Sequence, residues 1–176
     1  MKKSICTAAL AMLLACPAAA PAQGNAPISD SFNFGLAVGL AHAFDYYVGA
    51  HIGIDFDFRI GPSSRLAIVP CFSGGHDIER DMGVFNWTAT IGYRHFVDWA
   101  NKYATVLLGP TAGYWINTDN GKWITFGGTL QTALLWRGGV DYGLFAGLTL
   151  VHNASQVEDV PSQFDARIQV GGKLNF

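Results

Sequence analysis

Hydrophobic and polar residues alternate strictly between Tyr46 and Ile60. The even positions are Tyr, Val, Ala, Ile, Ile, Phe, Phe and Ile, and the odd positions carry mainly Gly, His, Asp and Arg. A period of two over such a length predicts a β-strand with one apolar and one polar face. The modal strand of soluble proteins has about five or six residues, whereas a tilted strand needs about 9–11 residues to cross a bilayer. The length of this alternation therefore favours a membrane-spanning strand.

The same pattern predicts seven further strands, at about residues 32–43, 65–73, 84–97, 103–116, 123–136, 142–152 and 164–176. The first of them has only Asn33, glycine and alanine on its polar face. The strand at 103–116 is apolar on both faces, so its register is ambiguous, and we expect the strands at 84–97 and 123–136 to slip register once. Pro70 and Pro110 lie inside strands, where each removes a ladder donor, so we expect a bulge or strand end at each.

Eight strands of this kind predict an all-β fold, an eight-stranded antiparallel transmembrane up-and-down β-barrel. Half of the residues are apolar and 14% are charged, yet no stretch after residue 22 approaches the 18 apolar residues of a helical span. An even strand number suits such a barrel, and closure removes edges that lipid does not tolerate. The alternative is a secreted soluble β-sandwich or lipocalin-like barrel whose apolar faces turn inward.

The predicted connections divide into short turns and external loops. The turns are at residues 61–64, 98–102 and 137–141, and the loops are near residues 44–46, 74–83, 118–122 and 153–162. Aromatic residues near both rims are typical of interfacial girdles. We expect Trp99, Tyr103, Trp136, Tyr142 and Phe176 in the lower girdle, and Tyr114, Trp115, Trp123 and Phe164 in the upper one.

The N-terminal residues predict export. Lys2 and Lys3 precede an apolar stretch that ends in a small-x-small cleavage site, Ala20-Pro21-Ala22, which indicates a cleaved signal peptide over residues 1–22. A short lead-in at 23–30 and the barrel at 31–176 follow. Residues 13–16 also resemble a lipobox, so lipoprotein processing at Cys16 is the alternative.

The remaining 154 residues suit one domain and contain one cysteine, Cys71, so no intramolecular disulfide is expected. Nine basic against thirteen acidic side chains give a net charge of −4, which does not favour a nucleic-acid partner.

The last eight residues resemble the insertion signal of bacterial outer-membrane β-barrels, whose fixed positions are occupied here by Gln169, Gly171, Leu174 and Phe176. In architecture and terminal signal the chain resembles the small outer-membrane barrels of the OmpX/Ail and opacity-protein class. This resemblance implies location in the bacterial outer membrane and contact with outer-membrane lipid and lipopolysaccharide. It also implies insertion by the barrel-assembly machinery through the C-terminal strand, a monomer, no cofactor, and a non-enzymatic role in envelope integrity, adhesion or surface interaction.

An eight-stranded barrel is just wide enough for its interior to be filled by side chains. The long polar side chains expected inside are His51, Asp55, Asp57, Arg59, Arg94, Asp165, Arg167 and Lys173. We expect them to lean across the small inner face of the first strand and pair, because an unpaired charge in so narrow a space is costly. This predicts a salt-bridged plug without a wide aqueous pore. The alternative is a narrow channel for small solutes.

Neither catalysis nor metal binding is favoured inside the barrel. His51 and Asp55 lie about 13 Å apart along one strand, too far for a catalytic hydrogen bond, so we interpret His51 as a buried structural residue. Asp55 and Asp57 have basic neighbours, so we interpret them as ion-pair partners rather than as metal ligands.

A second candidate site lies at the external rim, where His152 and Ser155 are followed by Glu158, Asp159 and Asp165. A histidine, a serine and an acid are the components of nucleophilic acyl transfer. The segment resembles the His-x-Ser-Asn element of outer-membrane lipid A deacylases of the PagL type. However, Ala154 occupies the serine position, and Ser155 would face the opposite side of the strand. A hydrolase is thus the alternative. The favoured interpretation is that these are polar residues at the rim of the barrel, where the strand enters a solvated loop.

Overall fold

The computed structural model describes residues 31–43, 47–78, 81–119, 121–157 and 162–176. It contains eight strands: β1 (Phe32–Ala43), β2 (Tyr47–Gly61), β3 (Ser64–Asp77), β4 (Met82–Asp98), β5 (Lys102–Asn117), β6 (Lys122–Trp136), β7 (Asp141–Ser155) and β8 (Gln163–Asn175). Each strand pairs antiparallel with the next, and β8 pairs with β1 to close the barrel. The predicted fold class is confirmed. The predicted signal peptide, lipobox and lead-in lie outside the described residues.

The two ends of the barrel differ in their connections. At one end, here called the turn end, residues 62–63, 99–101 and 137–140 join consecutive strands. The opposite end, the loop end, carries the connections at residues 44–46, 78–81, 118–121 and 156–162. The three short turns lie where the sequence predicted them. Two loops are shorter than predicted, because β3 continues through Gly74 and Gly75 to Asp77 and β7 continues to Ser155. Gly74 and Gly75 continue the strand because ladder hydrogen bonds require no side chain.

Residues alternate between the two faces along every strand. In β4, for example, Phe85, Trp87, Ile91 and Tyr93 are exposed on the outside, whereas Asn86, Thr88, Thr90 and Arg94 are buried in the interior. The outer surface of the barrel is therefore apolar and the interior is polar, which is the reverse of a soluble domain. None of the described residues forms a helix long and apolar enough to cross a membrane.

The predicted register slips are wrong. The pairing of β4 with β5 and of β6 with both neighbours keeps one register from end to end. The faces named from the sequence already alternate without a slip, so none was required. The register shift that the structure shows lies elsewhere, between Arg59 and Gly61 of β2. It is next to the tight turn that leads into β3.

The two prolines produce neither a bulge nor a strand end. Pro70 pairs with Ala89 and Pro110 pairs with Gly128 in the middle of their strands. On the other side of each proline, the ladder resumes in an unchanged register after two unpaired positions. The missing N–H is therefore accommodated by a short gap in one ladder rather than by an extra residue.

Three of the nine predicted girdle residues are in the interior instead. Tyr103, Trp115 and Trp123 occupy inward positions of β5 and β6 and are almost fully buried. Because β5 is apolar on both faces, the sequence could not distinguish its inner aromatic residues from its outer ones. Among the outer aromatics, Trp136 stacks on Tyr142 at the turn end, with ring centroids 6.3 Å apart, and Phe164 is exposed at the loop end.

Candidate functional site

The interior of the barrel, here called the lumen, contains most of the predicted site residues. The inner face of β1 is made of Asn33, Gly35, Ala37, Gly39, Ala41 and Ala43. Because these residues are small, side chains from the other strands can cross in front of β1. A Cβ atom added at Gly35 would lie 3.2 Å from the Asp55 Cβ and 2.4 Å from the Asn175 Oδ1. The absence of a side chain at Gly35 thus leaves room for both neighbours.

A four-membered ion cluster crosses the lumen near its middle. The Arg94 guanidinium donates from Nη1 to the Asp57 Oδ2 and from Nη2 to the Asp55 Oδ1, both at 2.5 Å. The Lys173 Nζ lies 2.5 Å from the other Asp55 oxygen. All four side chains are buried. Two cations thus neutralise two carboxylates, as the cost of burying charge requires.

The strand order explains why these four residues meet. Asp55 and Asp57 are two residues apart on β2 and therefore share its inner face. On β3, the inward residue paired with Asp57 is Ala67, which is small. Arg94 on β4 extends over β3 to reach both carboxylates, and Lys173 extends from β8 across β1. The cluster consequently ties β2, β4 and β8 together through the lumen.

A row of four threonine hydroxyls lies beside this cluster. The Thr90 and Thr111 hydroxyls are 2.7 Å apart, those of Thr111 and Thr129 are 2.7 Å apart, and those of Thr129 and Thr149 are 2.9 Å apart. The row joins β4, β5, β6 and β7 and satisfies buried polar groups without introducing charge.

A second ion pair lies nearer the loop end. The Arg167 Nε donates to the Asp165 Oδ2 at 2.6 Å, and its Nη2 donates to the Asn153 Oδ1 at 3.1 Å. The Thr125 hydroxyl donates to the same Asn153 oxygen at 2.7 Å. The guanidinium carbon lies 4.8 Å from the centre of the Trp115 ring, which is a cation–π arrangement.

Aromatic layers fill the lumen at both ends of the polar region. At the loop end, Tyr47, Trp115 and Trp123 pack together with Val84. At the turn end, a cluster around Tyr103 contains Phe96, Leu135 and Phe145. The Tyr103 hydroxyl donates to the Asp141 Oδ2 at 3.0 Å and accepts from the Asn175 Nδ2 at 2.9 Å.

Two predicted lumen residues differ from the rest. His51 is buried, and its ring lies 5.8 Å from the Phe145 ring. Arg59, in contrast, is exposed; it pairs with Arg65, which is buried in the lumen, so Arg59 is on the inward face of β2 at the turn-end mouth of the barrel. The register shift of β2 comes after this residue, between Arg59 and Gly61.

The structure does not bring the predicted rim residues together. His152 is on the outer face of β7, with its ring 5.2 Å from the ring of Phe126. The Ser155 hydroxyl donates to the Val157 carbonyl at 3.0 Å. Asp165 is in the lumen with Arg167. Glu158 and Asp159 lie outside the described residues. Within the part of the chain that the structure describes, no group of three or more His, Cys, Asp and Glu side chains could hold a metal ion.

The four residues of the C-terminal signal lie on both faces of β8. Gln169 points inward, and Gly171 pairs with Gly39 at the seam with β1. Leu174 and Phe176 are exposed on the outside. The backbone N–H of Phe176 donates to the Phe34 carbonyl at 2.8 Å, so the terminal residue is attached to β1.

The predicted lumen network did not include the threonine row, Asn153, Tyr103, Asn175 or Gln131, whose Oε1 accepts from the Arg94 Nη2 at 3.4 Å. Two of the row's three bonds had a signal in the sequence, because tight turns fix register: Thr90 pairs with Thr111 across one turn and Thr129 with Thr149 across another. The Thr111–Thr129 bond had no such signal, since these residues are diagonal neighbours in the β5–β6 ladder.

Comparison with known proteins identifies the fold but no family. No protein-family model matches the chain, and no curated protein matches it by sequence. Among solved structures, Neisserial surface protein A matches with a TM-score of 0.61 at 10% identity, covering 83% of this chain and 96% of that chain. The N-terminal β-barrel domain of Pseudomonas aeruginosa OprF has a TM-score of 0.44 at 14% identity, covering 82% and 97% of the two chains. Ail, the attachment invasion locus protein of Yersinia pestis, has a TM-score of 0.42 at 12% identity, covering 83% and 97%.

The match to Neisserial surface protein A supports the architecture described above. The chain has the fold of the small eight-stranded outer-membrane β-barrels, and the predicted resemblance to that class is confirmed at the level of the fold. At 10% identity, the likeness extends no further than the fold.

Proposed function

We propose that this chain is a non-enzymatic barrel of the bacterial outer membrane with a side-chain-filled lumen, and that it contributes to envelope integrity or to surface interaction. The observation that carries the proposal is the neutral Arg94–Asp55–Asp57–Lys173 cluster across the lumen. A lumen closed in this way suits a stable structural protein of the membrane rather than a channel.

The order of the lumen layers supports a closed interior. A hydrated ion entering from either end first meets aromatic side chains, around Trp115 at the loop end or around Tyr103 at the turn end. It then meets buried ion pairs, and separating these is costly in a low-dielectric interior. Steady conduction would require the aromatic side chains and the ion-paired side chains to be displaced at the same time.

The outer surface supports the membrane location. The exposed side chains of the strands include Leu40, Ile52, Trp87, Leu108 and Leu144, so a broad apolar surface faces outward. On this proposal the turn end faces the periplasm and the loop end faces the exterior. The partners are outer-membrane lipid and lipopolysaccharide around the barrel, and the barrel-assembly machinery at β8. The protein acts as a monomer.

The connections at the loop end favour a structural or short-range interaction role. Only residues 78–81 separate β3 from β4, and only residues 118–121 separate β5 from β6. Such loops are short for a dedicated adhesin, so lipopolysaccharide and the surface immediately around the barrel are the contacts within reach.

Conductance across planar lipid bilayers tests the closed lumen. The purified, folded protein is expected to give no steady single-channel current, whereas a variant with Trp115→Ala and Arg94→Ala should show brief openings. Arg137→Ala, which alters a pair in a turn rather than in the lumen, is the control and should remain closed. Large, steady current steps from the unmodified protein would overturn the closed-lumen proposal in favour of a narrow channel.

A second measurement addresses the role in the envelope. Cells lacking the protein should become more sensitive to detergents and to large hydrophobic antibiotics, and the unmodified gene should restore resistance. Equal sensitivity with and without the protein would overturn envelope integrity as the role and leave surface interaction.

A further inference from the structure

His51 has no hydrogen-bond partner for either ring nitrogen among the described residues, although its side chain is almost fully buried. Buried polar groups are nearly always satisfied, so an imidazole without partners in the lumen requires an explanation. The ring packs on one side near Phe145 of β7, with the two ring centroids 5.8 Å apart. The imidazole is therefore positioned in the interior of the barrel rather than turned toward either mouth.

Cys71 on β3 lies beside this imidazole. It pairs with Gly53 in the β2–β3 ladder, and His51 precedes Gly53 by two residues on the same inward face of β2. A Cβ atom added at Gly53 would lie 3.4 Å from the His51 Nε2 and 3.5 Å from the Cys71 Sγ. The nitrogen and the sulfur therefore border one small space, which the glycine leaves open.

The Cys71 thiol is available to a ligand in that space. Cys71 is the only cysteine of the described residues and is not in a disulfide. Its contact with the Val69 carbonyl is long, at 3.7 Å, so the thiol is weakly held. The third atom near the added Cβ is the Ala37 Cβ, at 3.7 Å, which is apolar. A ligand in this space would thus meet one imidazole nitrogen and one sulfur.

An imidazole nitrogen and a thiol sulfur together suit a soft metal ion. Thiolate sulfur selects Cu(I) among the common biological metals, and imidazole binds copper as well. Zinc usually takes four ligands, and the described part of the chain brings no three or more His, Cys, Asp and Glu side chains together for a metal ion. Cu(I) and its air-stable analogue Ag(I), in contrast, accept two ligands.

The charge of the lumen favours a monovalent ion. When such an ion binds, the Cys71 S–H bond breaks, a sulfur–metal bond forms and the proton leaves to the solvent, while the oxidation state of the metal is unchanged. One positive charge thus replaces another, and the net charge of the lumen stays the same. A divalent ion would add a positive charge to a lumen whose Arg94 and Lys173 charges are already matched by Asp55 and Asp57.

We propose that His51 and Cys71 form a two-ligand site for a soft monovalent metal ion, Cu(I) or its analogue Ag(I), bound by the His51 Nε2 and the Cys71 Sγ. The ion enters before the barrel closes, because aromatic layers at both ends obstruct the lumen of the folded protein. An ion held between the two ligand atoms would lie within 3.5 Å of a Cβ atom at position 53, so the site requires Gly53.

A competing explanation is that ordered water satisfies His51. Water would bond the imidazole without any part for Cys71. In that case Cys71 binds silver only as an isolated thiol, and His51 makes no difference to the response of the protein to silver. The two explanations are separated by comparing that response with and without the imidazole.

Silver-dependent stability tests the site. The protein is refolded into lipid vesicles in chloride-free buffer, and its unfolding by urea is followed by tryptophan fluorescence with and without a small excess of silver nitrate. Because the ion exchanges through the unfolded chain, a closed lumen does not prevent equilibrium. The unfolded chain also binds silver through the Cys71 thiol, so the stabilisation measures only the additional affinity of the folded site. We expect at least about tenfold tighter binding to the folded protein, equivalent to about 1.4 kcal/mol.

Two variants act on the site in different ways. His51→Phe removes the nitrogen ligand but keeps a ring near Phe145, and silver should no longer stabilise the fold because only the thiol remains. Gly53→Ala keeps both ligand atoms, and its added Cβ makes contacts of 3.4 Å or more, so the protein without metal accommodates it. The methyl group crowds the ion, so the stabilisation by silver should be lost here too.

Two further variants are the controls. Cys71→Ser removes the sulfur ligand and should not respond to silver. His152→Phe is matched to His51→Phe, since His152 is on the outer face with its ring 5.2 Å from that of Phe126, and this variant should respond as the unmodified protein does. Folding of each variant is checked by its heat-dependent gel shift, and Gly53→Ala decides the test if His51→Phe does not fold.

Several results would overturn the proposal. They are no stabilisation of the unmodified protein by silver, equal stabilisation of His51→Phe, and equal stabilisation of the unmodified protein by zinc nitrate, since the site is proposed to select a monovalent ion. X-ray absorption of the silver-loaded protein gives an independent result: one nitrogen and one sulfur ligand are expected, and sulfur alone would refute the site.

Discussion

Replacing Arg94 by methionine removes the guanidinium that bonds Asp55 and Asp57 and leaves two carboxylates with one cation, Lys173. All of these side chains are buried, and each Arg94 contact measures 2.5 Å. Breaking a buried pair costs about 3–5 kcal/mol, because the remaining charge stays unpaired. Methionine retains most of the stem, so lost packing adds little. We therefore expect Arg94→Met to lower the free energy of unfolding by about 4 kcal/mol.

A charge-balanced variant separates charge from packing. Adding Asp57→Asn to Arg94→Met leaves Lys173 paired with Asp55, so the cluster is neutral again. The double variant should recover at least about half of the loss, since coupled sites are not additive. Arg137→Met is the surface control: its partner is Asp98, both side chains are between 20% and 27% exposed, and such pairs contribute about 0–1 kcal/mol.

The assay is urea unfolding of the protein refolded into lipid vesicles, followed by tryptophan fluorescence and checked for reversibility by the gel shift. The reasoning would be refuted by a loss of less than about 1 kcal/mol in Arg94→Met, the range of an exposed pair. It would also be refuted if the double variant were less stable than Arg94→Met alone.

Further predictions concern the hydroxyl row, the small face of β1 and the rim. Thr129→Val removes one of the two inner members of the row, and the same urea assay should show a loss of about 2 kcal/mol in the free energy of unfolding; an unchanged midpoint would mean that the neighbouring hydroxyls are satisfied elsewhere. Gly35→Ala should cost about 1–3 kcal/mol, because its Cβ would lie 2.4 Å from the Asn175 Oδ1. Gly139→Ala is the control: a Cβ atom added there has nothing within 4 Å, so the free energy of unfolding should change by less than about 0.5 kcal/mol. Equal losses in Gly35→Ala and Gly139→Ala would contradict the packing argument. Cells carrying His152→Ala should have the same lipid A mass spectrum as cells with the unmodified protein, and loss of an acyl chain that depends on His152 would show hydrolase activity.

Strand positions and faces were predictable because the period of two is a local property. The alternation from Tyr46 to Ile60 identified β2 to within one residue at each end. The same signal was ambiguous for Trp115, because β5 is apolar on both faces, whereas for Trp123 its alternation with Thr125 indicated the inward face and the girdle assignment disregarded it. The narrow lumen is lined by apolar side chains near its ends, so aromatic character near a strand end does not by itself indicate a girdle.

The sequence predicted that charged side chains pair across the lumen, but not which residues form each pair. Because an unpaired charge is costly in a narrow lumen, Asp55, Asp57 and Arg94 were expected to form ion pairs. The structure brings them together with Lys173. Which residues meet depends on the stagger of strands around the closed barrel, a global quantity that no local pattern contains. Arg59 illustrates the same limit, since the alternation places it on the inward face but does not show that it lies exposed at the mouth of the barrel.

The threonine row makes the orientations of its hydroxyl hydrogens depend on one another. A hydroxyl carries one hydrogen and donates once, so when the three bonds joining Thr90, Thr111, Thr129 and Thr149 are all made, three hydrogens are used and one is left over. Because a hydroxyl can also accept twice, the unused hydrogen can belong to any of the four residues, and the bonds on either side of that residue point toward it. The same heavy-atom positions therefore accommodate four hydrogen arrangements with different dipoles, and moving the unused hydrogen to a neighbouring residue reverses the bond between the two. A lumen whose charges are fixed in place thus keeps a small set of linked hydroxyl orientations.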